Sequence, residues 1–212
     1  MMKKYLYLTA IIILLFPSCE YDEMDRTIFV TDENDNNMPA YTEWGYNSFG
    51  AIYERSYFLV SNNIVPCKIT YQSGMLNFYL IGKLKDNSYS YNYSGTDMVL
   101  TFSFPFSDID DYTGLMELNN TVVDLTAPLC KVIIEIDKNK EELTPINGNL
   151  TFKRAQLLKI DGKENRVILS GVFDVSFLKD SRPETISGGR FDVGISNDYR
   201  YFYRFPDEIL DE

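Results

Sequence analysis

The clearest pattern of apolar and polar positions lies near the end of the chain. Val167, Leu169, Gly171, Phe173, Val175 and Phe177 share one face, while Ser170, Asp174 and Ser176 punctuate the other. A period of two with one apolar face is a half-buried strand. Residues 178–184 turn, with Pro183 unable to extend a ladder. Residues 185–195 return, with Phe191, Val193 and Ile195 on one face. A hairpin closing about Arg182 sets Phe173 against Phe191 in the core and Asp174 against Arg190 in water.

Shorter runs come earlier. A first strand opens within residues 44–51, Glu54-Arg55 turns, and residues 56–60 return. Further runs at 75–81, 98–104, 132–136, 150–152 and 155–160 are separated by polar clusters such as 61–63 and 161–165. Many short strands at such spacing predict an all-β fold, an antiparallel sandwich or partly closed barrel, in a single domain over residues 41–205. Residues 109–118 offer at most one short turn of helix. Tyr199, Tyr201, Tyr203 and Phe205 alternate with Arg200, Phe202 and Arg204 as a closing strand, and the acidic tail 206–212 frays.

The beginning of the chain obeys other rules. Lys3 and Lys4 precede an apolar run over residues 6–16, then Pro17, Ser18 and Cys19. A positive start, an apolar core and a small residue before the cut make a secretory signal over residues 1–18. The apolar run falls short of the roughly 20 residues that a spanning helix needs. Leu15-Phe16-Pro17-Ser18-Cys19 resembles the lipobox of bacterial lipoproteins, with Phe16 and Pro17 looser than the usual pattern. That resemblance implies cleavage before Cys19, a lipid on its thiol and an acyl chain on its new amine. Glu20, Asp22, Glu23 and Asp25 resemble the acidic tract that sends lipoproteins of the Bacteroides group to the cell surface. The implied location is the outer membrane, lipid-anchored and exposed outside, with residues 19–40 as lipidated N-terminus and acidic tether.

Three inner segments extend the likeness. Ser48-Phe49-Gly50-Ala51, residues 168–173 (ILSGVF) and residues 188–193 (GGRFDV) are similar to a family of Bacteroides-group lipoproteins of unknown function. The resemblance implies a β-rich domain and carries no activity and no catalytic residues with it.

Charge and composition narrow the partners. The chain carries a formal −11, and loss of Lys3 and Lys4 with the leader takes it to −13. So acidic a surface repels nucleic acid and anionic lipid head groups. Histidine is absent from the sequence, which removes Ser-His and Cys-His nucleophiles and the commonest zinc ligand. Cys67 and Cys130 remain after Cys19; an exported chain allows one disulfide between them, and two separate buried thiols are equally consistent.

Candidate chemistry is sparse. Asp32, Asn34, Asn36 and Glu43 stand at the first, third, fifth and twelfth positions of an EF-hand-like loop. Asn37 occupies the glycine position and Pro39 interrupts the loop, so a solvated linker is the better reading and no metal is expected. Tyr89, Tyr91 and Tyr93 would share one strand face and could stack on sugars, or else pack within a hairpin. Asp108, Asp110 and Asp111 crowd one loop. No phosphate loop or nucleophile elbow occurs. The expectation is a non-enzymatic binding or accessory module outside the cell, without cofactor, for a glycan or protein partner. A fimbria-like assembly subunit is the alternative, and a carboxylate-based hydrolase comes third.

Overall fold

The computed structural model describes residues 25–61, 65–85, 95–179 and 181–206. Cys19 and the tyrosines at 89, 91 and 93 lie outside the described residues.

The strands are β1 (Ser48–Tyr53), β2 (Ser56–Val60), β3 (Cys67–Gln72), β4 (Met75–Lys85), β5 (Thr96–Pro105), β6 (Thr121–Asp124), β7 (Lys131–Ile136), β8 (Asn139–Ile160), β9 (Lys163–Lys179), β10 (Arg182–Ile195) and β11 (Phe202–Arg204). A 3-10 helix, Tyr112–Leu118, is capped by the Asp111 carboxylate, which accepts from the Thr113 amide. Around the ring the order is β4-β2-β1-β10-β9-β8-β7-β5, and β5 pairs back onto β4. Every neighbouring pair in this ring is antiparallel. The fold is therefore a closed eight-stranded barrel, not a sandwich. β3 continues beside β4 beyond β2, β11 joins β3 in parallel, and β6 pairs with β8.

Closure follows from local chemistry. Ser73-Gly74, Asp137-Lys138 and Asp161-Gly162 each place both central residues at positive φ. Such two-residue turns match the twist of the strands they join. The apolar faces then point inward: Phe78, Phe102, Phe152, Phe173, Phe177 and Phe191 are all essentially sealed from solvent. Phe78 lies 5.0 Å from Phe191 and 5.5 Å from Phe152 between ring centres, and Phe102 lies 5.1 Å from Phe173. Eight strands enclose just enough room for side chains to fill. Here phenylalanines fill it. The opposite strand faces carry Asn77, Lys83, Asp97, Thr101, Glu135 and Asp174. The same outward faces also hold Ile81, Val99, Ile133 and Val172, so the outside is mixed. The ring-filled apolar inside is the reverse of the polar lumen of a membrane-spanning barrel.

The β9–β10 hairpin corrects the expected register. Phe191 pairs with Gly171 and Phe173 with Gly189, while Asp174 accepts from the Gly188 amide instead of meeting Arg190. A Cβ on Gly171 would come within 2.6 Å of the Phe191 ring, and one on Gly189 within 2.5 Å of Phe173. Each ring lies over a glycine on the next strand, so both phenylalanines still point into the core. The register shift falls between Ile186 and Gly189, at Gly188 with φ 60°. The two runs expected at 150–152 and 155–160 are parts of the single long strand β8, bulged between Phe152 and Arg154. The closing strand is also shorter than expected. Residues 198–201 turn, Tyr201 and Phe202 are both buried, and only Phe202–Arg204 pairs.

Candidate functional site

A filled barrel leaves no room for a ligand along its axis, which moves attention to the outer wall. Residues 27–47, partly read as tether, form a strap across that wall. Ile28 donates its amide to the Tyr46 carbonyl and Ala40 to the Val30 carbonyl, so the strap runs out and back. Met38 is fully buried. Asp32 forms an ion pair with Arg190, and Tyr57 donates to the Asp35 carboxylate at 3.4 Å. A Cβ on Gly50 would strike Pro39 at 2.4 Å, so the strap lies directly on β1.

The return limb is fixed by one buried carboxylate. Asp192 stands in register with Ser170 on β9, and Ser170 with Arg154 on β8. Its Oδ1 accepts from the Gly45 amide at 2.7 Å and the Ser170 hydroxyl at 2.9 Å. Its Oδ2 accepts from the Thr42 hydroxyl at 2.6 Å and from the Trp44 and Tyr46 amides at 3.0 and 3.2 Å. Five donors satisfy a group that would otherwise be costly to bury. Asn47, at φ 52° and fully buried, accepts from the Gly194 amide at 2.9 Å and closes the loop.

This anchoring holds the backbone inward and turns the Trp44 side chain outward, 71% exposed. It is the chain's one tryptophan. Beside it, Tyr41, Thr42, Glu43, Arg154 and Gln156 complete the lining of an open groove of about 330 Å³. The β8 bulge leaves both Lys153 and Arg154 on the exposed side. A bulge can re-aim a side chain next to a site in this way. Arg154 donates to Glu43 Oε2 at 2.8 Å and to Gln156 Oε1 at 2.8 Å. Tyr41 donates its hydroxyl to Glu43 Oε1 at 2.9 Å, and Lys153 Nζ stands 4.9 Å from the Tyr41 ring centre. Burial, reinforced by Glu43, raises the Tyr41 hydroxyl well above its ordinary range, while hydrogen bonds from Arg154 and Tyr41 hold the Glu43 carboxyl low. The groove therefore offers a flat ring, fixed donors and acceptors, and a single carboxylate.

The residues singled out from sequence are scattered. Asp32 and Glu43 do not converge on a common cation position; each carboxylate is paired with a different arginine. Among the described residues no group of acidic or cysteine side chains is arranged to hold a metal ion. Cys67 and Cys130 are both free thiols, which sets aside the disulfide: Cys67 is sealed in the core on β3, and Cys130 is half-buried ahead of β7. Burial raises both thiols. Asp111 caps the 3-10 helix, while Asp108 and Asp110 pair with Arg204. A second cleft, of about 630 Å³, lies at the β8–β9 turn between Asp25, Asp161, Glu164, Arg166, Asp198 and Arg200. There Asp25 bonds both arginines, and Arg200 holds the Asp198 carboxyl low.

Sequence reasoning noted Glu43 for a different role and gave Trp44 only a place in a strand. The available signal was a lone tryptophan beside a glycine, next to Tyr41 and Glu43 in a polar stretch. Comparison with protein-family models, with curated proteins and with solved structures returns no significant match, so the groove has to be read from its own geometry.

Proposed function

We propose that the protein is a lipid-anchored binding module of the cell surface and that the Trp44 groove recognises a glycan. The observation that carries this reading is the exposed Trp44 ring held on a backbone whose amides are locked to Asp192. Sugars present apolar C–H faces flanked by hydroxyls. An aromatic platform with neighbouring hydrogen-bond groups matches both features. Arg154, Gln156 and Glu43 supply donors and acceptors at the rim, kept in place by their mutual bonds before a ligand arrives, and Lys153 adds a further donor over the Tyr41 ring. Less is then lost in ordering the site on binding.

Two further features favour a binding module over the alternatives. Closure through β4 and β5 pairs every strand of the barrel ring on both sides. The edges that remain among the described residues, β6 and the terminal β11, are only four and three residues long, short templates for a partner's strand. The groove holds one carboxylate, already bonded to Arg154 and Tyr41, where glycoside hydrolysis uses a facing pair. Anchoring rests on the lipobox-like segment ending at Cys19, and charged outward residues such as Lys83, Asp97, Glu135 and Asp174 suit a barrel held outside the membrane.

The test is an oligosaccharide array probed with the domain from residue 25 onward and with Trp44→Ala. Binding that disappears in the variant supports the reading, and an array that stays blank refutes it. Cell fractionation of Cys19→Ser addresses the anchor separately: release from the envelope is expected, and unchanged sedimentation contradicts lipidation.

A further inference from the structure

Exposed aromatic rings are unevenly placed on this molecule. Among the described residues those more than about a third exposed are Phe29, Trp44, Tyr199, Tyr203 and Phe205. Three of the five fall in the short C-terminal segment that turns at residues 198–201 and runs along β3. Tyr199 is 72% exposed, and the Tyr203 and Phe205 rings meet edge-on at 4.7 Å. Ile160, at the tip of β8, is also exposed and lines the cleft beside Arg200. The far end of the barrel, at the Glu54-Arg55 and Asp137-Lys138 turns, carries polar side chains instead.

The chain enters the described structure at the aromatic end. Asp25 lies 3.2 Å from Arg166 and 3.6 Å from Arg200, and its charge helps hold the Tyr201 hydroxyl neutral. Cys19 precedes Asp25 by six positions, so the intervening leash reaches at most about 20 Å. With so short a leash, this end cannot move far from the lipid. A surface held that close needs little affinity of its own, because the local concentration of membrane is already high.

We infer that this end of the barrel seats on the outer-membrane surface, with Tyr199, Tyr203, Phe205 and Ile160 in the headgroup layer. Aromatic rings with one polar end favour the membrane–water boundary. Arg200, half exposed at the rim of the cleft, is paired with Asp25 and Asp198, so the seat rests on the rings and not on charge. The inference rests on lipidation of Cys19 and adds an orientation to it. The Trp44 groove then opens on the side wall, and the β1–β2 and β7–β8 turns point away from the cell.

Hydrogen exchange read by mass spectrometry tests the seat. Full-length acylated protein in nanodiscs of phosphatidylethanolamine and phosphatidylglycerol is compared with the Cys19→Ser chain free in buffer. Amides of residues 159–162 and 198–205 are expected to exchange several-fold more slowly on the nanodisc, with those of residues 53–56 and 136–139 unchanged. The triple variant Tyr199→Ser, Tyr203→Ser, Phe205→Ser should remain on the nanodisc yet lose the protection at 159–162. Acylated protein whose 198–205 amides exchange as fast as in the free chain would overturn the seat and leave the anchor standing. An intact mass without acyl chains would remove the anchor and the seat together.

Discussion

The inside and the outer wall of this barrel are built on opposite terms. Inside, phenylalanines meet ring against ring, and contact is non-directional, so many arrangements of similar volume would serve. On the wall, the strap of residues 27–47 is held by directed bonds to a few groups, above all the Asp192 carboxylate and Arg190. The interior gives the molecule its stability. The wall gives it a fixed surface, where the Trp44 ring stands free beside polar partners. A protein can thus make its core tolerant and its site exacting by putting them on opposite faces of the same strands.

The largest expected effect lies in the interior. Phe78→Ala removes a ring that touches Phe102, Phe152 and Phe191, and should lower stability by about 3–5 kcal/mol in denaturant titration. A loss below about 1 kcal/mol would mean that the barrel is not packed as described. Asp192→Ala comes next, at about 2–3 kcal/mol, since it leaves buried amides without their acceptor. Its signature is local: exchange should accelerate across residues 41–47 while β4 and β5 stay protected. Uniform acceleration would erase the distinction between wall and core.

Alkali should act on the tyrosines whose hydroxyls are held neutral. Burial, with Glu184 beside Tyr53 and Asp25 beside Tyr201, pushes both hydroxyls up to about 12 from an ordinary 10.0. The folded state then keeps protons that the unfolded chain loses. That stability is fully present below pH 10.0 and drains away as pH rises to about 12, which thermal melts across this window would detect. Flat melting temperatures there would contradict the burial of these hydroxyls. Trp44→Ala should change stability least, within about 0.5 kcal/mol, because the exposed ring contributes little to folding. A larger loss would make Trp44 part of the scaffold.

Much of the interior was legible from periodicity. The alternation over residues 167–177 marks β9 because one strand face meets only apolar neighbours, and Phe173 and Phe191 both point inward as that pattern requires. Their pairing was not legible, since it depends on glycines at 171 and 189 making room for rings across the ladder. The first residues of β8 are polar because they project past the core, so no alternation announced that strand. The strap was least readable of all. Asp192 looks like any strand aspartate until Thr42, Trp44, Gly45 and Tyr46, some 150 positions earlier, are brought onto it. Polar bonds between distant segments leave no periodic trace, and the groove at Trp44 is made of such bonds.

Because the chain has one tryptophan, its emission reports the site alone. Titrating the domain with an array-positive oligosaccharide while recording Trp44 fluorescence tests the platform directly. A saturating spectral shift that vanishes in Arg154→Ala is the predicted result. Binding that leaves Trp44 emission unchanged would contradict it and place the glycan elsewhere on the barrel.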